Sequence, residues 1–184
     1  MREGGLGQIM SSFFELSRSA IIFLVVLATV VVVFGSPVLV RGESMMPNFS
    51  TGEVVVIERL TYWWGSIKRG DVVAAKFPAD PNRTRLIKRV VGLPGETVRT
   101  ENGSIFINGV LLEEPYRVMT GVTPYTEIEL ITLGKGEYFL VGDNRPASSD
   151  SRLWGPVLRQ DILGRAGFVI FPLSSLQYVD RVNF

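Results

Sequence analysis

Ser44 is the first residue whose setting suggests chemistry, because two methionines and a proline follow it directly in the segment GESMMP. Gly42 permits a close approach of the backbone, and Pro47 stiffens the chain after the serine. The alternative is that Ser44 is an ordinary solvated or capping serine of a loop. A nucleophilic serine needs a group that takes its proton, and the chain contains no histidine and no cysteine. The base for Ser44 would therefore be a carboxylate, a tyrosine or a lysine.

Lys88 is the candidate base, since it lies in the apolar segment RLIKRVV, which predicts a strand over Arg85–Val91. Alternation along a strand places Lys88 on one face with two apolar neighbours, whereas Arg89 points to the other face. A lysine acts as a base only when its amine is neutral, which burial among apolar groups favours. Lowering its pKa from ~10.4 to ~8 would raise the neutral fraction at pH 7 to roughly 10%. The alternative is a solvated lysine on an edge strand.

A third polar cluster is the loop GDNRPASSDSRLWG, Gly142–Gly155, in which two acids and two arginines follow a predicted strand. This density of opposite charges predicts a loop held rigid by ion pairs, which would suit the support of a catalytic group. A hydrogen-bonded surface turn is one alternative. A calcium loop is another, but the segment lacks the alternating acidic residues and the closing glutamate of an EF-hand.

The composition excludes several classes of function. Without cysteine or histidine, the chain has no disulfide, no thiolate nucleophile and no imidazole ligand for a metal. We therefore predict no metal site and no cofactor. The formal net charge of +1 provides no basic field, so we expect no nucleic-acid partner.

The segment Ala20–Val40 carries no charge, and we predict that it is a transmembrane anchor. As a helix it would extend ~30 Å, the thickness of a bilayer's hydrocarbon core. A cleaved targeting sequence is less consistent, because no Ala-x-Ala pattern follows Phe34. A buried core helix is also less consistent, because such helices are seldom apolar on every face. The flanking residues Arg18 and Arg41 do not decide the orientation.

The chain beyond the anchor is predicted to form one mostly β domain of antiparallel sheets. The predicted organisation is an N-terminal segment over residues 1–19, the anchor over 20–40 and a β domain over 41–184. Asn102-Gly103 and Asn108-Gly109 are typical hairpin turns. The predicted strands are Glu53–Arg59, Asp71–Phe77, Arg85–Val91, Ser104–Ile107, Glu137–Gly142 and Gly167–Phe171.

The segments SMMP, KRVVGLPGE and GDNRPASSDSRLWG, in this order, resemble the type I signal peptidases of bacteria, the serine–lysine leader peptidases of peptidase family S26. The resemblance covers the chain from Arg18 onward. It implies a serine endopeptidase that removes signal peptides from exported preproteins. It also implies a monomer with a single anchor in the bacterial plasma membrane, or in the thylakoid membrane of a photosynthetic source. In this arrangement residues 1–19 would be cytoplasmic, and the catalytic domain over 41–184 would be extracytoplasmic. The expected partners are signal peptides and the lipid bilayer.

The resemblance also assigns roles by position. Ser44 would be the nucleophile of an acyl-transfer reaction, Lys88 its general base, and the hydroxyl of Ser148 would orient the lysine amine. The oxyanion would be stabilised mainly by backbone N–H groups, chiefly that of Ser44, because Gly42 occupies the position where some relatives have a hydroxyl.

Four further residues are implied as supports of the loop. Asp150 and Arg152 would form a structural ion pair, and Asp143 and Arg145 would stabilise the loop in the same manner. Asn48 departs from the family, which commonly has threonine there, so its role is open. Pro146-Ala147 also departs from the more polar family pattern, as a tolerated surface change.

Substrates of this family carry small residues, usually alanine, at the first and third positions before the cut. The substrate would bind as an added strand. We expect Met45, Phe49 and Ile87 to line shallow pockets beside Ser44. Trp63 and Trp64 are adjacent, so they fit either a half-buried pair or an apolar lip at the lipid interface.

Other classes fit less well. Penicillin-binding enzymes require S-x-x-K, S-D-N and K-T-G elements, which the chain lacks. A soluble serine–lysine autoprotease would have no reason to carry Ala20–Val40. A tethered β module that binds exported chains without cleaving them is the rival from a different class, and the presence of both Ser44 and Lys88 argues against it.

Overall fold

The structure is a computed structural model that describes residues 4–59, 65–78, 80, 84–121 and 128–184. The chain divides into two compact units, Met1–Gly35 and Ser36–Phe184. Trp63 and Trp64, predicted to form either a half-buried pair or an apolar lip, lie outside the described residues.

The first unit consists of one helix, α1, which spans Gly4–Phe34. It begins well before Ala20 and ends before Val40, the bounds of the predicted anchor. Gly35 and Pro37 are poor helix formers, and the residues they occupy belong to a strand instead. Among the residues that the structure describes, no helix is both long enough and apolar enough to cross a membrane. The predicted transmembrane anchor is therefore not supported.

The second unit is built from strands that form two sheets. The strands are β1 Gly35–Leu39, β2 Val54–Glu58, β3 Val72–Lys76, β4 Arg85–Gly92, β5 Thr97–Glu101, β6 Ser104–Ile107, β7 Val110–Leu111, β8 Ile128–Thr132, β9 Glu137–Val141, β10 Val157–Leu158, β11 Ile162–Phe171 and β12 Gln177–Tyr178. The larger sheet has the order β1-β2-β11-β3-β4-β9-β10, with β12 paired to β11, and the smaller has the order β7-β6-β5-β8. The pairings of β2 to β12 are antiparallel, so the predicted mostly β, antiparallel class is confirmed.

The central strands of the larger sheet are apolar because both of their faces are covered. All four residues Val72–Ala75 of β3 are buried. In a strand with one solvent-exposed face, buried and exposed residues would alternate. In the described residues, short helical turns lie between β9 and β12, and one of them is the α-helix Ser151–Trp154. The dense pairing around β3 and β4 holds Lys88 in a fixed register opposite Val73.

The two predicted hairpin turns are confirmed. Asn102 and Asn108 adopt positive φ values of 49° and 51°, and the glycines after them have 79° and 83°. Positive φ at both central residues is the geometry that makes Asn-Gly favourable in a two-residue hairpin. These turns connect β5 to β6 and β6 to β7.

Strands whose apolar pattern is short or interrupted are not predicted from the sequence. β5 and β8 mix polar and apolar residues, so their periodicity alone was not distinctive. β11 begins at Ile162 rather than at Gly167, because glycines interrupt an otherwise apolar run. A side chain at Gly164 would collide with the backbone of Glu58 on β2, so the interruption is a point of close strand packing.

Candidate active site

The Ser44 hydroxyl and the Lys88 amine lie in direct contact, with Nζ and Oγ hydrogen-bonded at 2.6 Å. The two residues are 44 positions apart in the sequence, so only the tertiary structure brings them together. Lys88 is only 3% exposed, on the strand β4. The pair is thus a nucleophile beside a buried potential base.

Burial lowers the pKa of Lys88 from 10.5 to about 8, because the charged ammonium is poorly solvated there. The carboxylate of Asp150 opposes this shift, the guanidinium of Arg152 adds to it, and the carboxylate of Asp143 opposes it. At neutral pH a neutral fraction of roughly 10% follows from a pKa near 8. The amine can therefore accept a proton from the serine.

The turn that carries Ser44 is fixed on both sides. Its backbone is closed by bonds from Met46 N to Glu43 O and from Phe49 N to Met45 O. Met45 and Phe49 are 1% and 4% exposed and belong to the apolar core cluster. The turn therefore buries Met45 and Phe49 and leaves Ser44 half-buried.

The loop Gly142–Gly155 packs directly against this turn. Asn144 donates its backbone N–H to the carbonyl of Ser44 at 3.0 Å. A Cβ at Gly142 would collide with the Ser44 carbonyl and with the side chain of Ser148. Glycine at this position is thus required by the close approach of the loop to the nucleophile.

Asp150 and Arg152 form a buried ion pair, with Nε–Oδ1 and Nη2–Oδ2 distances of 2.8 and 2.7 Å. Asp150 also accepts the N–H of Gly142 at 3.0 Å. Burial acts to raise the pKa of Asp150, but Arg152, the Gly142 N–H and the Ser148 hydroxyl together hold it below its usual range. Asp150 therefore stays ionised near Lys88.

The Ser148 hydroxyl is buried near the carboxylate of Asp150, but its geometry falls outside that of a regular hydrogen bond to Asp150 or to Lys88. It lies against Gly142, on the same side of the loop as the Ser44 carbonyl. The structure therefore places Ser148 beside the pair without a direct bond to Lys88. Its role in orienting the amine stays a prediction.

Asp143 and Arg145 are both ion-paired, but with partners that the sequence did not indicate. Asp143 is held in a bidentate pair by Arg89, at 2.8 and 2.6 Å. Arg145 pairs with Glu114 and donates Nε to the carbonyl of Gly142 at 3.0 Å. Arg89 is only 4% exposed, because the face of β4 opposite Lys88 is also covered.

Asn48 takes part in this network, although it departs from the family pattern. Its amide donates to Asp143 Oδ2 at 2.8 Å and to the carbonyl of Arg117 at 2.7 Å. A threonine hydroxyl has one hydrogen to donate, whereas the amide has two. Asn48 therefore ties the serine turn both to the loop and to a third segment.

A cleft of about 120 Å³ opens beside the pair. Met45 and Ile87, two of the three predicted pocket residues, line it together with Ser44 and Lys88. Phe49 does not line this cleft and lies in the core cluster with Met45 and Ile87. The other lining residues come from 38–41 and 84–86. No group of acidic residues that could hold a metal occurs in the described part of the chain.

Comparisons with known proteins agree with these observations. The family model of signal peptidase, peptidase S26, matches residues 13–171. Signal peptidase I of Bacillus licheniformis is 34% identical over 179 residues, which are 92% of this chain and 95% of that protein. Signal peptidase I T of Bacillus subtilis strain 168 is 34% identical over 167 residues, 86% of either chain. A crystal structure of a signal peptidase I from Enterococcus faecalis V583 is 33% identical and covers 54% of this chain and 96% of that one, with a TM-score of 0.44.

The chain therefore belongs to the peptidase S26 family, a class of hydrolases. Within that family it is similar to the bacterial signal peptidases I, which cover most of its length. The predicted family membership and the predicted enzyme class are confirmed.

Proposed function

We propose that this chain cleaves signal peptides from exported preproteins, with Ser44 as nucleophile and Lys88 as general base. The observation that carries the proposal is the 2.6 Å contact between a serine hydroxyl and a lysine amine that is almost fully buried. The family membership indicates the substrate class, and the contact indicates the nucleophile and its base.

The first half of the reaction forms an ester. Neutral Lys88 accepts the proton of Ser44 as the oxygen attacks the carbonyl carbon of the scissile peptide bond. The backbone N–H of Ser44 is the candidate donor to the developing oxyanion. The ammonium of Lys88 then protonates the leaving amine as the C–N bond breaks, and the mature protein departs.

The second half returns the enzyme to its starting state. Neutral Lys88 removes a proton from a water molecule, and the resulting hydroxide attacks the ester carbon. The C–O bond to Ser44 breaks, and the serine oxygen recovers a proton from Lys88. The signal peptide leaves with a new carboxyl terminus.

The cleft supports a preference for small side chains. Its volume of about 120 Å³ is small for a binding cleft, which is consistent with small side chains such as that of alanine beside Ser44. Met45 and Ile87 provide an apolar wall, and an extended substrate would lie between residues 38–41 and 84–88. Asp150, Arg152, Asp143 and Arg145 would hold the loop, and Ser148 would act from beside Lys88.

The test is cleavage of a purified precursor with an Ala-x-Ala junction by the full chain in detergent. We expect Ser44→Ala and Lys88→Ala each to abolish cleavage, with a fall of at least ~10³-fold, while circular dichroism stays unchanged. Lys135→Ala is the matched control, because it removes an exposed lysine far along the chain from the dyad. Full activity in either dyad variant would disprove the proposal.

The same assay addresses the rival function of a non-cleaving binding module. Such a module would retain the precursor with wild-type affinity and leave it intact between pH 6 and 10. Detection of the free signal peptide and the mature protein in equal amounts would exclude this function.

A further inference from the structure

Residues 114–119, which we call the crossing segment, run over the catalytic loop in the stretch between β7 and β8. Met119 donates its N–H to the carbonyl of Asp143 and accepts the N–H of Arg145, both at 2.9 Å. The carbonyl of Arg117 accepts the Asn48 amide at 2.7 Å. The crossing segment thus contacts both the loop and the turn that carries Ser44.

Two side chains of the crossing segment reach the two buried arginines of the site. The guanidinium of Arg89 lies 3.8 Å from the centre of the Tyr116 ring. The Tyr116 hydroxyl donates to Glu114, and Glu114 pairs with Arg145. Burial, together with Glu114, raises the pKa of Tyr116, so its hydroxyl remains a donor at every working pH.

These contacts are strong because the arginines are out of water. Arg89 and Arg145 are 4% and 1% exposed. A buried cation needs a partner that replaces its hydration, and an aromatic face or a carboxylate provides it. The crossing segment supplies one of each, from residues two positions apart.

The arginines in turn hold the groups next to the dyad. Arg89 fixes Asp143, and Asp143, Asp150 and Arg152 are the charged groups that act on the Lys88 amine. The backbone of Asn144, between Asp143 and Arg145, bonds to the Ser44 carbonyl. A displacement of either arginine would therefore move a charge beside Lys88 and a support of Ser44 together.

We propose that Tyr116 and Glu114 are positioning residues of the peptidase, which hold the catalytic loop in register with Ser44 and Lys88 through Arg89 and Arg145. This proposal rests on the proposed function. Neither residue touches the reacting atoms, so both act on the rate through the arginines they hold.

The test compares four variants of the full chain. Tyr116→Leu removes the aromatic face, and Tyr116→Phe keeps the face and removes only the hydroxyl. Tyr178→Leu is the matched control, because Tyr178 stacks on another arginine, Arg165, with the guanidinium 5.6 Å from the ring centre. Glu114→Gln provides a second variant in case Tyr116→Leu does not fold.

We expect Tyr116→Leu to lower kcat by on the order of tenfold to a hundredfold with KM changed by less than about twofold, because the chemistry is misaligned while the cleft is intact. We expect Tyr116→Phe and Tyr178→Leu to stay within about threefold of wild type.

The same variants differ in their expected pH dependence. In Tyr116→Leu, water would enter beside Lys88, and a displaced Arg89 would neutralise Asp143 less. Both changes would raise the pKa of Lys88. The acid limb of kcat/KM should therefore move to higher pH in Tyr116→Leu and stay in place in Tyr116→Phe and Tyr178→Leu.

A second readout does not depend on cleavage. NMR titration of the chain labelled at the lysine side chains should show a higher pKa for Lys88 in Tyr116→Leu than in wild type, and a shifted pKa for Lys88 in Glu114→Gln. An unchanged Lys88 pKa, or an equal change in Tyr178→Leu, would overturn the positioning role. If wild type titrates as expected but cleaves nothing, the proposed function fails, and the titration still decides the positioning role.

Discussion

At the scale of single residues, the proposed chemistry depends on the burial of the Lys88 amine. Lys88 is almost fully buried, and this burial is the largest contribution to its lowered pKa. The same burial is unfavourable for folding while the amine is protonated, because the unfolded chain solvates it better. Lys88 is therefore a residue at which activity and stability oppose each other.

We predict that Lys88→Met abolishes cleavage but raises the free energy of unfolding at pH 7, by up to about 3 kcal/mol, which corresponds to a pKa shift from 10.5 to about 8. Between pH 8 and 10.5 the unfolded wild-type chain binds more protons at Lys88 than the folded chain does. The stability of wild type should therefore rise with pH across this window, and that of Lys88→Met should lack this rise. Urea unfolding at several pH values measures both effects, and a destabilised Lys88→Met at pH 7 would contradict the prediction.

At the scale of elements, the site depends on the distance between the loop 142–155 and the turn that carries Ser44. Two backbone features set it, namely the bond from Asn144 N to Ser44 O and the lack of a side chain at Gly142. The loop is itself held by Asp150, which caps the helix Ser151–Trp154 by accepting the N–H of Arg152.

We predict that Gly142→Ala lowers kcat by on the order of a hundredfold, because the added methyl group pushes the loop away from the Ser44 carbonyl and Ser148. Gly134→Ala is the control, since its Cβ would meet only the flexible carboxylate of Glu137. Steady-state cleavage by the two variants at equal folded fraction measures the difference. Equal rates for both would show that the loop can shift without consequence.

At the scale of the whole molecule, the described contacts around the site all lie within the second unit. The three apolar core clusters are formed by residues between Val38 and Val179. All of these residues lie within the unit Ser36–Phe184.

We therefore predict that deletion of residues 1–34 leaves a chain that folds cooperatively. Its midpoint of urea unfolding should lie close to that of the second unit in the full chain, since no core cluster loses a residue. Cleavage of a short peptide with an Ala-x-Ala junction should persist. A deleted chain without a cooperative transition would show that the second unit depends on the helix.

Much of the fold and of the site could be predicted from local patterns. Apolar runs indicated the strands that contain Lys88 and precede the loop, and Asn-Gly pairs indicated the hairpins, because these signals depend on a few neighbouring residues. Strands with mixed composition, such as β5, were missed since their pairing is decided by distant partners. Local setting made Ser44 and Lys88 candidates among fourteen serines and four lysines, and only the resemblance to a family assigned their roles.

The sequence by itself determined the available chemistry. Because histidine and cysteine are absent, a serine nucleophile requires a base other than histidine. Only the tertiary structure decided that the base lies 2.6 Å from Ser44, that Arg89 holds Asp143, and that Tyr116 and Glu114 hold the buried arginines. Residue types are a property of the chain, whereas burial and ion-pair partners arise when strands remote in sequence exclude water from the same space.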